Sequence, residues 1–123
     1  MRKTIIAIAL AASATTSSAY DRQFEIKMYG VRTCDQYVSG YGQSQERNFM
    51  RLWLAGYITA ANYHTPDTYD VLGNSDIESA LLWLLAYCKA NPHKDTFDGV
   101  QEMLAELASS RRAQRAPAQR PGR

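Results

Sequence analysis

SDIESALLWLLAYCKANP, residues 75–92, is the stretch that decides the fold. Ser75 followed by Glu78 has the form of a capping box, which predicts a helix starting there with Ser75 as N-cap. Asn91-Pro92 predicts its end, because a residue before proline is pushed out of the helical region. Ile77, Leu81, Leu84, Leu85 and Cys88 share one face at helical spacing, and Ala80, Trp83 and Tyr87 form a second apolar face, with Leu82 adding more. A helix this apolar is either buried on nearly all sides or presents a surface to a partner.

Upstream, Ser44 is a good N-cap for a long helix running to about Asn62. Phe49, Leu52, Trp53, Gly56, Tyr57 and Ala60 fall on one face of it, and Gly56, lacking a Cβ, permits close approach by a neighbouring helix. Thr33 is placed to cap a short helical turn carrying Cys34, Tyr37 and Val38, closed by the glycines of Ser39-Gly40-Tyr41-Gly42. Residues 24–29 alternate apolar and polar, predicting a short extended arm. Between the two long helices, HTPDTYDVLGN (residues 64–74) reads as a loop. Downstream, Asp95-Thr96 opens a helix to about Ser109, with Phe97, Val100, Leu104 and Leu107 inward. The following SRRAQRAPAQRPGR has no apolar side chain larger than alanine and is expected to be a disordered tail from residue 110 to 123. The expected fold is all-α: about four helices over residues 20–109 in one small domain.

The chain has 123 residues, 14 Lys+Arg and 12 Asp+Glu, for a formal net charge of +2. That sum hides its distribution. Met1-Arg2-Lys3, the apolar Thr4 to Ala12 and the small residues Ser17-Ser18-Ala19 read as a secretory signal cleaved before Tyr20, with Ala12-Ser13-Ala14 a second candidate site. The apolar stretch is about half of the ~20 residues that a membrane span requires, so no integral span is expected. Five arginines (Arg111, Arg112, Arg115, Arg120, Arg123) lie in the tail, leaving residues 20–110 with 7 basic against 12 acidic side chains. An acidic body with a basic tail argues against a nucleic-acid-binding domain.

Export sets the reading of the two cysteines, Cys34 and Cys88. In an oxidising compartment a disulfide is the expectation, with two unpaired buried thiols as the alternative. A bond closing a loop of about 54 residues removes roughly 4 kcal/mol of unfolded-state entropy. The two histidines are not spaced to complete a metal site with the cysteines. His64-x-x-Asp67-x-x-Asp70 is the nearest approach to a ligand set, but the loop lacks an EF-hand's glycine and acidic pattern, and solvation and capping account for these residues equally well. His93 reads as a solvated residue. No G-x-S-x-G or Ser-x-x-Lys surrounds a serine. No catalytic residue, metal or cofactor is therefore expected, and the surplus apolar helix surface points to binding rather than catalysis.

Tyr87-Cys88-Lys89-Ala90-Asn91-Pro92-His93-Lys94 resembles a Tyr-Cys-Lys-x-Asn-Pro-x-Lys run at the end of an apolar helix in the HdeA/HdeB family of periplasmic acid-stress chaperones. Thr33-Cys34-Asp35-Gln36-Tyr37 is similar to the segment around that family's other disulfide cysteine. The resemblance spans roughly Thr33 to Val100. The sequence departs from the family at Leu54-Ala55-Gly56-Tyr57-Ile58-Thr59-Ala60, in the arm at 24–29 and in the arginine-rich tail. The resemblance implies a periplasmic, ATP-independent holdase whose clients are acid-unfolded proteins, with Phe49, Leu52, Trp53, Tyr57, Trp83 and Tyr87 as client or homodimer surface. Protonating the 12 carboxylates takes the exported chain from near zero to about +12, or about +14 with both histidines charged, and self-repulsion favours opening. The Gly-Tyr helix and late Cys-x-x-Asn-Pro are also similar to type VI secretion immunity proteins, which implies instead an inhibitor binding one cognate partner at neutral pH.

Overall fold

The computed structural model describes residues 25–114, and these form an all-α fold with a Cys34–Cys88 disulfide. The expected signal segment at 1–19 and the tail beyond Gln114 lie outside the described residues. Four helices follow in order: α1 (Cys34–Gly40), α2 (Ser44–His64), α3 (Ile77–Ala90) and α4 (Thr96–Glu106). Short 3₁₀ turns precede and follow them at Met28–Val31 and Leu107–Ser110.

Local chemistry explains where each helix begins. Thr33 Oγ1 accepts from the Gln36 N–H (3.2 Å) while Gln36 Oε1 accepts from the Thr33 N–H (3.1 Å), a reciprocal capping box on α1. Asp95 caps α4 by accepting from the Asp98 N–H at 2.8 Å. On α3 the cap is Asp76, which accepts from the Ser79 N–H at 2.7 Å, and not Ser75. The carboxylate expected to complete Ser75's box, Glu78, is instead held by Arg51 of α2 through two hydrogen bonds of 2.5 and 3.1 Å. Ser44 lies inside α2, whose N-cap Gln43 makes no side-chain cap bond. α3 ends at Ala90, before Asn91-Pro92, as the sequence requires.

α3 is the central element and packs against α1, α2 and α4. Its buried side is Ala80, Leu81, Leu84 and Cys88, with Ile77 and Leu85 at the margin. α2 contributes Met50, Leu54 and Ile58, one residue per turn, and α4 contributes Thr96, Gly99, Val100 and Met103. The interhelix connection is more than a loop: Val71 and Leu72 are buried in the core. They are held there by Asn62 Oδ1, which accepts from the Val71 N–H (2.7 Å), and Asp70 Oδ1, which accepts from the Leu72 N–H (3.0 Å). The disulfide fastens α1 to the last turn of α3, with both sulfurs inside the core.

Two long-range seams close the body. Thr96 is the only buried polar residue among the described ones; its N–H donates to Arg32 O (2.9 Å) and its hydroxyl to Tyr29 O. Beside it, Cys34 N–H donates to Lys94 O at 2.8 Å. The expected arm at 24–29 is therefore corrected: Lys27 is extended, but Met28 and Tyr29 enter a 3₁₀ turn that presents the Tyr29 carbonyl to α4. The second seam corrects the boundary of the tail. Residues 111–114, assigned by composition to a disordered end, include Arg112, whose guanidinium donates to Asp70 Oδ2 (2.7 Å) and lies over the Tyr69 ring. Its backbone forms an antiparallel bridge with Asp70. A carboxylate and an aromatic face give this arginine a partner that its local sequence does not disclose.

Candidate functional site

The six side chains expected to form a binding surface separate into three settings. Phe49 and Leu52 of α2 are exposed, at 39% and 61%. Trp53 and Tyr57, one turn apart, are half-buried and stack with ring centroids 5.6 Å apart. Trp83 and Tyr87, also one turn apart on α3, stack at 5.6 Å with planes 13° apart. This arrangement corrects the reading of α2. The buried line is Met50, Leu54 and Ile58, and the face running through Phe49, Leu52, Gly56 and Ala60 turns outward. At Gly56 an added Cβ would meet nothing within 4 Å, so no described element makes the close approach expected there.

Trp53 and Tyr57 form one wall of an open groove of about 260 Å³, completed by Phe97 and the N-terminal residues Glu25, Ile26 and Lys27. Phe97 meets Tyr57 edge-on at 5.8 Å, and the Gln101 side-chain amide donates to the Tyr57 hydroxyl. Trp53 and Ile26 close over Gly30 so tightly that a Cβ there would meet both. Aromatic walls with one carboxylate and one ammonium at the rim suit apolar and aromatic side chains.

The α3 pair has a different electrostatic setting. The Tyr87 ring lies against Gly99 of α4, and an added Cβ there would stand 2.8 Å from Tyr87 Cδ1. Burial pushes the Tyr87 phenol above its ordinary value, and the carboxylates of Asp98, Glu102 and Asp95 push it further in the same direction. At the start of α3, the hydrogen bonds from Arg51 hold Glu78 below the usual carboxylate range, and the Ser79 N–H does the same for Asp76. Tyr37, whose hydroxyl donates to Leu81 O at 3.2 Å, has its phenol pushed up, mainly by burial.

Among the described residues no three His, Cys, Asp or Glu side chains gather into a set that could hold a metal ion. His64 is exposed and meets Tyr63 edge-on, Asp70 is engaged by Arg112, and Asp67 sits in the connection with φ 51°. No described helix is long and apolar enough to cross a membrane.

The fold and these surfaces define a small disulfide-bonded helical protein with aromatic side chains on two helices. No family model, curated protein or solved structure matches the chain.

Proposed function

We propose that the chain is exported, loses residues 1–19, and acts in the periplasm as an ATP-independent, acid-activated holdase similar to the HdeA/HdeB chaperones. One observation carries the reading: Phe49, Leu52, Trp53, Tyr57, Trp83 and Tyr87 all keep some solvent exposure on a body that a disulfide holds together. Six large apolar side chains within reach of water are what a holdase needs, because unfolded clients are recognised by exposed apolar surface. Acid would enlarge that surface. Protonating Glu78, which Arg51 holds below the usual carboxylate range, takes the acceptor from Arg51 and loosens the α2–α3 contact. The disulfide would keep α1 on α3 during opening and shorten the path back.

The test is to mix the exported protein with periplasmic clients, shift to about pH 2.5, neutralise, and follow client sedimentation. Suppressed aggregation is expected; clients that sediment as they do alone would overturn the reading. A second reading, a periplasmic inhibitor or immunity protein, is favoured by the open face at Leu52 and Gly56, where one partner helix would meet no obstructing Cβ. Its mark is a stoichiometric complex with a single partner at neutral pH and no protection of clients in acid.

A further inference from the structure

The outward side of α2 repeats in heptads. Gln45, Phe49, Leu52, Gly56, Thr59 and Tyr63 are spaced 4, 3, 4, 3 and 4 residues apart, the interval of a two-stranded coiled-coil seam, and all six are exposed. None is charged, although the solvent face of a helix ordinarily carries its charges. Those of α2 are turned to the body instead: Glu46 meets Arg32 at 3.0 Å, Arg47 donates to Tyr41 O at 2.7 Å, and Arg51 holds Glu78. Thr59 gives its hydroxyl to Ala55 O at 2.8 Å within the helix, so covering it leaves no donor unpaired.

The stripe also matches its own reverse. Phe49 and Tyr63 stand seven residues to either side of Gly56, and Leu52 stands four before it where Ala60 stands four after. A two-fold axis through Gly56 therefore sets Leu52 of one chain on the small Thr59 and Ala60 of another, and Phe49 beside Tyr63, twice over, as an isologous contact requires. At the centre an added Cβ would meet nothing within 4 Å, and two glycines there let the helix axes approach closely. A parallel pair would instead align Gly56, Thr59 and Ala60 with themselves, leaving a void, and would set the helix dipoles side by side in the same sense. Selection of a different protein ordinarily uses complementary charge, which this stripe does not offer.

The area is sufficient. Phe49 is 39% and Tyr63 84% exposed; at about 200 Å² per aromatic side chain they offer roughly 250 Å² on each copy, and Leu52 with the small residues between them about doubles that. Two copies would bury about 1,000 Å², the lower bound for a specific interface.

We propose that the occupant of this face is a second copy of the chain, and that at neutral pH two copies pair through α2, antiparallel, on a two-fold axis at Gly56. The pairing stands independently of the holdase and inhibitor readings, and an interface this small implies that it is half formed on the order of 10–100 µM.

Sedimentation velocity of the exported protein at pH 7, from about 5 µM to about 1 mM, should show monomer giving way to dimer and to nothing larger. Because the seam carries no charge, raising NaCl to about 500 mM should not weaken the dimer. Leu52→Asp should weaken it at least tenfold, whereas Leu82→Asp, a comparably exposed position on α3, should leave it unchanged, both with the parent's circular dichroism spectrum. Single-cysteine L52C and T59C proteins, mixed and oxidised with Cys34–Cys88 intact, should join to each other. A protein that stays monomeric across the range, or that grows beyond a dimer, overturns the proposal. So does a dimer indifferent to Leu52→Asp, and so does L52C joining to itself in preference to T59C, which is the mark of a parallel pair.

Discussion

Replacing Gly99 with alanine measures how tightly α4 crosses α3. Two effects oppose each other. Alanine in place of glycine inside a helix stabilises by about 1 kcal/mol through propensity. The new Cβ, however, would stand 2.5 Å from Leu84 Cδ1 and 2.8 Å from Tyr87 Cδ1. Leu84 has 0% exposure and no room to withdraw, whereas Tyr87 moves only by leaving its stack on Trp83. Overpacking of this kind costs typically 1–3 kcal/mol, and two wedged neighbours put it in the upper part, about 2–3 kcal/mol. The net expectation is a loss of about 1–2 kcal/mol. Gly56→Ala supplies the control, because its Cβ meets nothing and only the propensity gain of about 1 kcal/mol remains. Urea denaturation followed by circular dichroism reads both, as midpoint shifts of opposite sign at constant slope. A G99A protein as stable as the parent would refute the close crossing. A destabilised G56A protein would refute the open face on α2.

Reducing the Cys34–Cys88 bond, or replacing both cysteines with alanine, should lower stability by roughly 4 kcal/mol, read as the urea midpoint with and without reductant. Leu54→Ala should cost about 2–5 kcal/mol, whereas Leu52→Ala, two residues away on the exposed side, should stay within about 0.5 kcal/mol; similar losses at both would overturn the assignment of the buried line. Because Glu78 is held below its ordinary value, its contribution is full above the unfolded carboxylate range near pH 4 and is lost as pH falls through the folded value. E78Q should therefore lower stability at pH 7 and leave it unchanged near pH 2, and an equal loss at both would refute the Arg51 pairing.

Where local chemistry decides, the sequence was readable. Thr33 capping α1, Asp95 capping α4, the stop at Asn91-Pro92 and the pairing of two cysteines need only neighbours along the chain or simple counting. The inward side of α2 does not follow from such rules. Met50-Leu54-Ile58 and Phe49-Leu52-Gly56-Ala60 are adjacent stripes about one residue apart in phase, and either satisfies helical spacing. The aromatic content of the outer stripe favoured the wrong one, because the choice depends on α3 lying against Met50 and Leu54. Ser75 and Asp76 pose the same kind of problem. Each is a capable N-cap, and the outcome turns on Arg51, 27 residues away, taking the Glu78 carboxylate. At the candidate site, the residue types were legible and their pairings were not. Trp53 with Tyr57 and Trp83 with Tyr87 follow from spacing, but the groove with Phe97 and the Arg112–Asp70 seam depend on tertiary contacts.

The seam between residues 29–35 and 92–96 orders the chain's assembly in time. Cys34 and Asp35 give their N–H groups to Lys94 and Pro92, and Tyr29 and Arg32 give their carbonyls to Thr96. At a synthesis rate of about 5–20 residues per second, a separation of some 60 residues leaves these groups bonded to water for roughly 3–12 s. The Cys34 sulfur must also wait until α3 has delivered Cys88. The first described segment to be made thus waits for α3 and the start of α4 before it is set in place.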